Sequence, residues 1–181
     1  FKYQTMKNLF ILMFLLGLFS VSVLATEIEG CSFYSRVLQK EISYSVVLPD
    51  HYSTTKERYP VLYMLHGLGD NASSWLEYGS VGQVSKQLVN KGEIQPMILI
   101  MPQGFSDYYS NFYSGDYNYQ TMFVTELVPL VDSLYRTIAN AQNRAVTGYS
   151  MGGFGALMLP INHPDVFSVS MPLSASIRTH E

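Results

Sequence analysis

Three strand-like runs, the first two of them continuously apolar and the third short, constrain this chain more than any other feature. They are "YPVLYMLHG" closing at Gly67, "PMILIMPQG" closing at Gly104, and "RAVTGYS" closing at Ser150. A strand with one wet face alternates apolar and polar residues, whereas runs without that alternation suit strands covered on both faces. Helical patterns lie between and after them. The spacing of Val81, Val84 and Leu88 with Gly92 as a stop predicts a helix over "VGQVSKQLVNKG". "YQTMFVTELVPLVDSLYRTI" predicts a longer helix, with Pro129 near its early turns or kinking it. "MGGFGALMLPINHP" predicts another, ended by Asn162-His163-Pro164, and "FSVSMPLSA" a last strand. This alternation from Pro60 onward calls for an α/β fold: a mostly parallel sheet with helices on both faces. Upstream, "SFYSRVLQKEISYSVVLP" alternates on either side of Gln39-Lys40, as an antiparallel pair would. Ligands of parallel sheets bind beyond the carboxyl ends of the strands. Gly67, Gly104 and Ser150 all follow strands, so the chemistry is expected along one edge.

Composition narrows the class. With 48% hydrophobic residues in 181, the chain can bury the core of one domain. A net charge of −3 offers no basic surface for nucleic acid. The one cysteine, Cys31, excludes an intramolecular disulfide and a cysteine-built metal site. At the N-terminus, "MKNLFILMFLLGLFSVSVLATE" has a basic start, an apolar centre and Val23-Leu24-Ala25 before Thr26. That describes a secretory leader over residues 6–25, with the mature part at 26–181 and Phe1 to Thr5 as upstream read-through. The apolar centre, Leu9 to Phe19, is shorter than the roughly 20 residues of a spanning helix. A secreted or periplasmic protein without stable membrane insertion is expected. Removing residues 1–25 takes away Lys2 and Lys7 and no acid, so the charge falls from −3 to −5.

The third run opens into "VTGYSMGGFGAL", in which Gly148-Tyr149-Ser150-Met151-Gly152 fits G-x-S-x-G. That pattern seats a nucleophilic serine on a sharp strand-to-helix turn, with small neighbours because side chains would collide there. The Met151 amide would open the helix, aimed where an oxyanion forms. The second oxyanion amide is expected in "LHGLGDNASSW", at Leu68 between Gly67 and Gly69. His66 closes a strand and reads as a hydrogen-bonded residue shaping that loop, not as a base. Asp70 and Trp75 suit substrate contact, or equally a capped turn and a packed indole.

These residues together resemble the esterase family of α/β hydrolases that includes S-formylglutathione hydrolases (esterase D), feruloyl esterases and the mycolyltransferases of the antigen 85 group. The matching pieces are "YPVLYMLHGLGDNASSW", "ILIMPQG", "TELVPLVDSLYRT" and "AVTGYSMGGFGALMLPINHPDVFSVSMPLSAS". The resemblance implies an α/β-hydrolase fold, Ser150 as nucleophile and the Leu68 and Met151 amides as oxyanion hole. It also implies acyl transfer from an ester or thioester through an acyl-serine, with no cofactor and no metal.

The chain departs from the pattern in one respect. These enzymes run serine, acid, histidine along the chain, yet only 31 residues follow Ser150. His163 and Asp165 belong to an H-P-D turn, and His180 is the penultimate residue. A partial domain lacking the last strands, and nearly inactive by itself, is therefore expected, with His180 as base the alternative. "GFSDYYSNFYSGDYNYQ" places Phe105, Tyr108, Tyr109, Phe112, Tyr113, Tyr117 and Tyr119 in one polar loop. Exposed aromatics of this kind suit sugar rings or phenolic acyl groups; tyrosines covering the helix layer are the equal alternative. On the first reading, Trp75, Tyr108 and Tyr109 contact substrate, an acylated carbohydrate carrying feruloyl or acetyl esters. Two other readings stay open: a carbohydrate-binding protein on a hydrolase scaffold, and an acyltransferase.

Overall fold

The fold comes from a computed structural model that describes residues 26–177; the expected leader over 6–25 and His180 lie outside the described residues. Strands β1 (Thr26–Ser35), β2 (Lys40–Leu48), β3 (Val61–Leu65), β4 (Ile98–Pro102), β5 (Arg144–Tyr149) and β6 (Val169–Leu173) form one sheet. Their order across it is β1-β2-β4-β3-β5-β6. β1 and β2 form the antiparallel pair, β2 also runs antiparallel to β4, and β4, β3, β5 and β6 are mutually parallel. The tight turn after β1 is tied by Glu126, whose carboxylate accepts from the Ser35 hydroxyl at 2.5 Å and from the Arg36 and Val37 amides at 2.9 and 3.2 Å.

Period-two alternation along the strands divides the core in two. On one face Tyr63, Leu65, Ile98, Ile100 and Val146 pack against Met122, Phe123, Leu127, Ala156 and Leu159. These come from α3 (Tyr119–Met122), a π-helical turn (Phe123–Leu127) and α5 (Met151–Asn162). On the other face the smaller cluster of Val47, Met64, Leu99 and Met101 meets Leu76 and Val81, from α1 (Ser74–Glu77) and α2 (Val81–Asn90). α2 begins at Val81 and gives way at Gly92 (φ +71°), as its spacing predicts.

The long helix expected over 119–138 is broken. α3, the π-turn and α4 (Val128–Leu134) follow one another, with Pro129 in the first turn of α4. Proline lacks an N–H, and its ring crowds the carbonyl four residues back, so the wider π-turn just before it absorbs the misfit. The helix also stops at Leu134, because Tyr135 turns extended (φ −120°, ψ 157°) and the chain pairs with Tyr59: Tyr59 N–H donates to Arg136 O and Ile138 N–H to Tyr59 O, both at 2.8 Å.

Pro160 sits inside α5. It leaves Ala156 O without its helical donor, and the Ser170 hydroxyl of β6 donates to that oxygen at 2.7 Å. Ser170 therefore faces α5, and Val169, Met171 and Leu173 face the opposite side, where they are 43, 43 and 48% exposed. At the end of α5 the H-P-D turn closes with Val166 and Phe167 amides on His163 O. It delivers Phe167 edge-on to Tyr63, with ring centroids 5.8 Å apart.

Candidate active site

The parallel register aligns the carboxyl ends of β3, β4 and β5 on one edge, with Leu65 opposite Gly148. Ser150 follows β5 directly and caps α5. Its backbone is left-handed (φ 55°, ψ −116°), a conformation that costs a non-glycine residue about 1–3 kcal/mol and tends to occur at functional sites. The bend is held from both sides: Ser150 N–H donates to Leu173 O at 3.0 Å and Ser176 N–H to Ser150 O at 2.9 Å. Its side chain does not cap the helix, and the residue is exposed.

Close backbone approach explains the small residues around it. A Cβ at Gly152 would lie 2.3 Å from Leu65 O and 2.6 Å from His66 O, so the first turn of α5 sits directly on the end of β3. A Cβ at Gly148 would strike Gly152 O at 2.4 Å. The start of α5 and the loop after β3 are thereby neighbours. Leu68 and Met151 each lie three residues beyond the register pair Leu65–Gly148. Amides in the first turn of a helix have no intrahelical partner, which leaves Met151 N–H for a ligand.

His66 lies inside this floor, 1% exposed. Gly104 N–H donates to its Nε2 at 2.8 Å, so the proton sits on Nδ1 and is given to Gly67 O at 2.7 Å. Burial pushes its pKa down, against weaker raising effects from the Gly67 carbonyl and Asp70. With both nitrogens engaged and the ring neutral, His66 shapes the loop, as the sequence suggests.

The other described histidines are remote from the serine. His163 ends the 12-residue helix that Ser150 begins, about 18 Å away at 1.5 Å per residue. His51 follows β2, whose direction carries its end to the opposite edge of the sheet. Among the described residues, no histidine is placed to take the Ser150 proton. No group of three or more His, Cys, Asp or Glu there could hold a metal ion, and no helix there is long and apolar enough to cross a membrane.

The seven loop aromatics divide. Tyr109 was expected against substrate, but it is fully buried: its hydroxyl donates to His66 O at 3.0 Å and its ring fills the space at Gly104 and Gly155. Tyr119 is fully buried beside it, with Tyr117, Phe105 and Tyr108 partly buried. Phe112 and Tyr113 stand out, at 45 and 109% exposure. With Tyr108, Asp107, Asn111 and Phe154 they line an open cleft of about 490 Å³. Phe154 N–H donates to Ser150 O at 3.1 Å, so the cleft wall is one helical turn from the serine. Trp75 is half-buried against Tyr149, ring centroids 5.0 Å apart. Sequence reasoning missed Tyr149 itself, which fills the variable position of G-x-S-x-G and whose hydroxyl donates to Asp70 Oδ2 at 2.6 Å. Only the partner across the loop distinguishes it from any other strand-end tyrosine.

The chain as a whole is similar to known proteins. The chain is 32% identical over 148 residues to an endo-1,4-beta-xylanase/feruloyl esterase of Xylanibacter ruminicola, covering 78% of this chain and 20% of that protein. Among solved structures, a ferulic acid esterase superposes with a TM-score of 0.81 at 32% identity, over 88% of this chain and 62% of that one. A ferulic acid esterase of Anaeromyces mucronatus, solved with ferulic acid, gives 0.67 at 25% identity, over 81% of this chain and 56% of that one. The chain thus spans about a fifth of the first relative and less than two thirds of the solved chains. The fold is that of the α/β hydrolases. The family model described as "Putative esterase" matches residues 35–179, and the chain belongs to that family.

Proposed function

We propose that the full-length protein is a secreted or periplasmic serine carboxylic-ester hydrolase that acts on acylated carbohydrate, with feruloyl or acetyl as the acyl group. The observation that carries this reading is Ser150, exposed and held at φ 55° on the bend between β5 and α5. Its Oγ attacks the ester carbonyl, and the resulting oxyanion is met by the Leu68 and Met151 amides. The tetrahedral intermediate collapses with loss of the alcohol, and water then releases the acid from the acyl-serine. The proton acceptor comes from outside residues 26–177, because His51, His66 and His163 are all placed elsewhere. A serine without its base loses several orders of magnitude in rate, so residues 26–177 by themselves are nearly inactive. The open cleft with Phe112 and Tyr113 on its rim suits a sugar ring, whose apolar face stacks on an aromatic and whose hydroxyls reach Asp107 and Asn111. Names of relatives that act on feruloyl esters support the acyl group.

The test is a fluorophosphonate probe on the full-length protein. Labelling that disappears in Ser150→Ala supports the reading, and absence of labelling in the wild type leaves a binding protein on a hydrolase scaffold. Faster turnover of methyl ferulate than of a short alkyl ester supports feruloyl as substrate; the reverse rejects it.

A further inference from the structure

We propose that Tyr149 is a positioning residue: with Asp70 it clamps the loop after β3 to the serine bend, and so sets the separation of the Leu68 and Met151 amides. This rests on the esterase reading above. Tyr149 is the last residue of β5 and immediately precedes Ser150, yet its side chain crosses to the neighbouring loop. There its hydroxyl donates to Asp70 Oδ2 at 2.6 Å. A Cβ at Gly67 would lie 2.7 Å from the ring's Cε2, so the ring rests on the Gly67 backbone. Trp75 packs edge-on against the same ring, at an interplanar angle of 75°. The loop closes on itself where Asp70 N–H donates to Gly67 O at 3.3 Å. Leu68 is thus suspended between the two residues that Tyr149 touches.

The Leu68 side chain is 54% exposed and cannot anchor its own amide. The His66 hydrogen bonds secure the loop toward β4, and the Tyr149–Asp70 bond secures it to the serine bend. Burial, and then the hydrogen bond to Asp70, push the Tyr149 pKa up to about 12, against a weaker lowering by the Gly67 backbone. The hydroxyl therefore stays a donor across neutral and mildly alkaline pH. An oxyanion donor acts only if it sits within hydrogen-bond reach of where charge develops, so a slack loop lowers turnover while leaving ground-state binding alone.

Kinetics of the full-length protein on p-nitrophenyl acetate test this. Y149F keeps the ring and its packing; it is expected to lower kcat about tenfold with KM within twofold. Affinity for a boronic acid, whose serine adduct places an oxygen in the oxyanion position, should fall in parallel. D70A should lose the same, the Y149F/D70A double variant no more than either alone, and D70N, whose amide oxygen still accepts, should recover most of the rate. Wild-type kcat and boronate affinity in Y149F, or additive losses in the double variant, would overturn the clamp. Turnover that persists in Ser150→Ala overturns the esterase reading and the clamp with it. Turnover lost in Ser150→Ala but untouched in Y149F removes the clamp alone.

Discussion

The serine bend and the aromatic loop after β4 share one edge of the sheet but are built on opposite terms. Around Ser150, each small residue answers a close backbone approach: Gly152 lies under the Leu65 and His66 carbonyls, and Gly148 under Gly152. In the loop, large side chains do the opposite work. Tyr109 and Tyr119 fill the interior, while Phe112 and Tyr113, of the same chemical type, face solvent. Tyr108 and Tyr109 even share a left-handed backbone (φ 55° each), yet one lines the cleft and the other is sealed beneath it. At the bend, sterics leave one solution, and it is written locally. In the loop, the role of each ring depends on what the rest of the chain places above it.

Substitutions can break or sharpen this contrast. The largest effect is expected from Ser150→Ala, which should cut turnover of p-nitrophenyl acetate by roughly 10⁴-fold or more while leaving the fold intact, as circular dichroism would report. Activity within tenfold of wild type would separate the bend from the chemistry. Next comes Gly152→Ala: its methyl has rigid backbone on the far side, so a loss of about 3 kcal/mol or more in urea unfolding is expected, with a neutral result contradicting the close approach to β3. Tyr109→Phe deletes the buried donor to His66 O and should cost about 1–2 kcal/mol, a loss that an exposed tyrosine would not show.

A smaller effect follows from His66. Its pKa is lowered in the folded protein, so below its ordinary value of 6.5 the unfolded chain binds the proton more readily. Stability is therefore full above that range and is lost as pH falls through it, by at most about 1.4 kcal/mol per pH unit. Urea midpoints from pH 7.5 to pH 5 should show this, and His66→Gln should flatten the part of the slope that His66 contributes. Smallest of all, Tyr113→Ala should leave stability within about 0.5 kcal/mol. It should raise KM roughly threefold to tenfold for a feruloylated or acetylated oligosaccharide but not for p-nitrophenyl acetate. Equal effects on both esters would remove the sugar-binding role of the cleft rim.

Much of the architecture was legible before any coordinates. The strands over 61–65, 98–102, 144–149 and 169–173, the helices at 81–90 and 151–162, and the antiparallel pair at the start all follow from apolar periodicity and glycine stops. His66 was legible as a loop-shaping residue because it ends a strand whose neighbours must approach closely. The helix over 119–138 was overread. Periodicity carries past Leu134, but Tyr59 competes for the Arg136 carbonyl and for the Ile138 amide, and wins. The sequence alone does not say how Pro160 is accommodated inside its helix, since the freed Ala156 carbonyl is satisfied from Ser170 of β6, ten residues further along the chain.

What the sequence determined by itself was the kind of fold and the address of the serine, because both depend on local sterics and on which residues can bury themselves. Tertiary structure alone decided which tyrosines become floor and which become rim, and that Tyr149 reaches Asp70 across 79 positions of chain. A tyrosine is equally able to fill a core or to face water while keeping its hydroxyl bonded. Its place is therefore settled by the partner that arrives, and no local pattern records that partner.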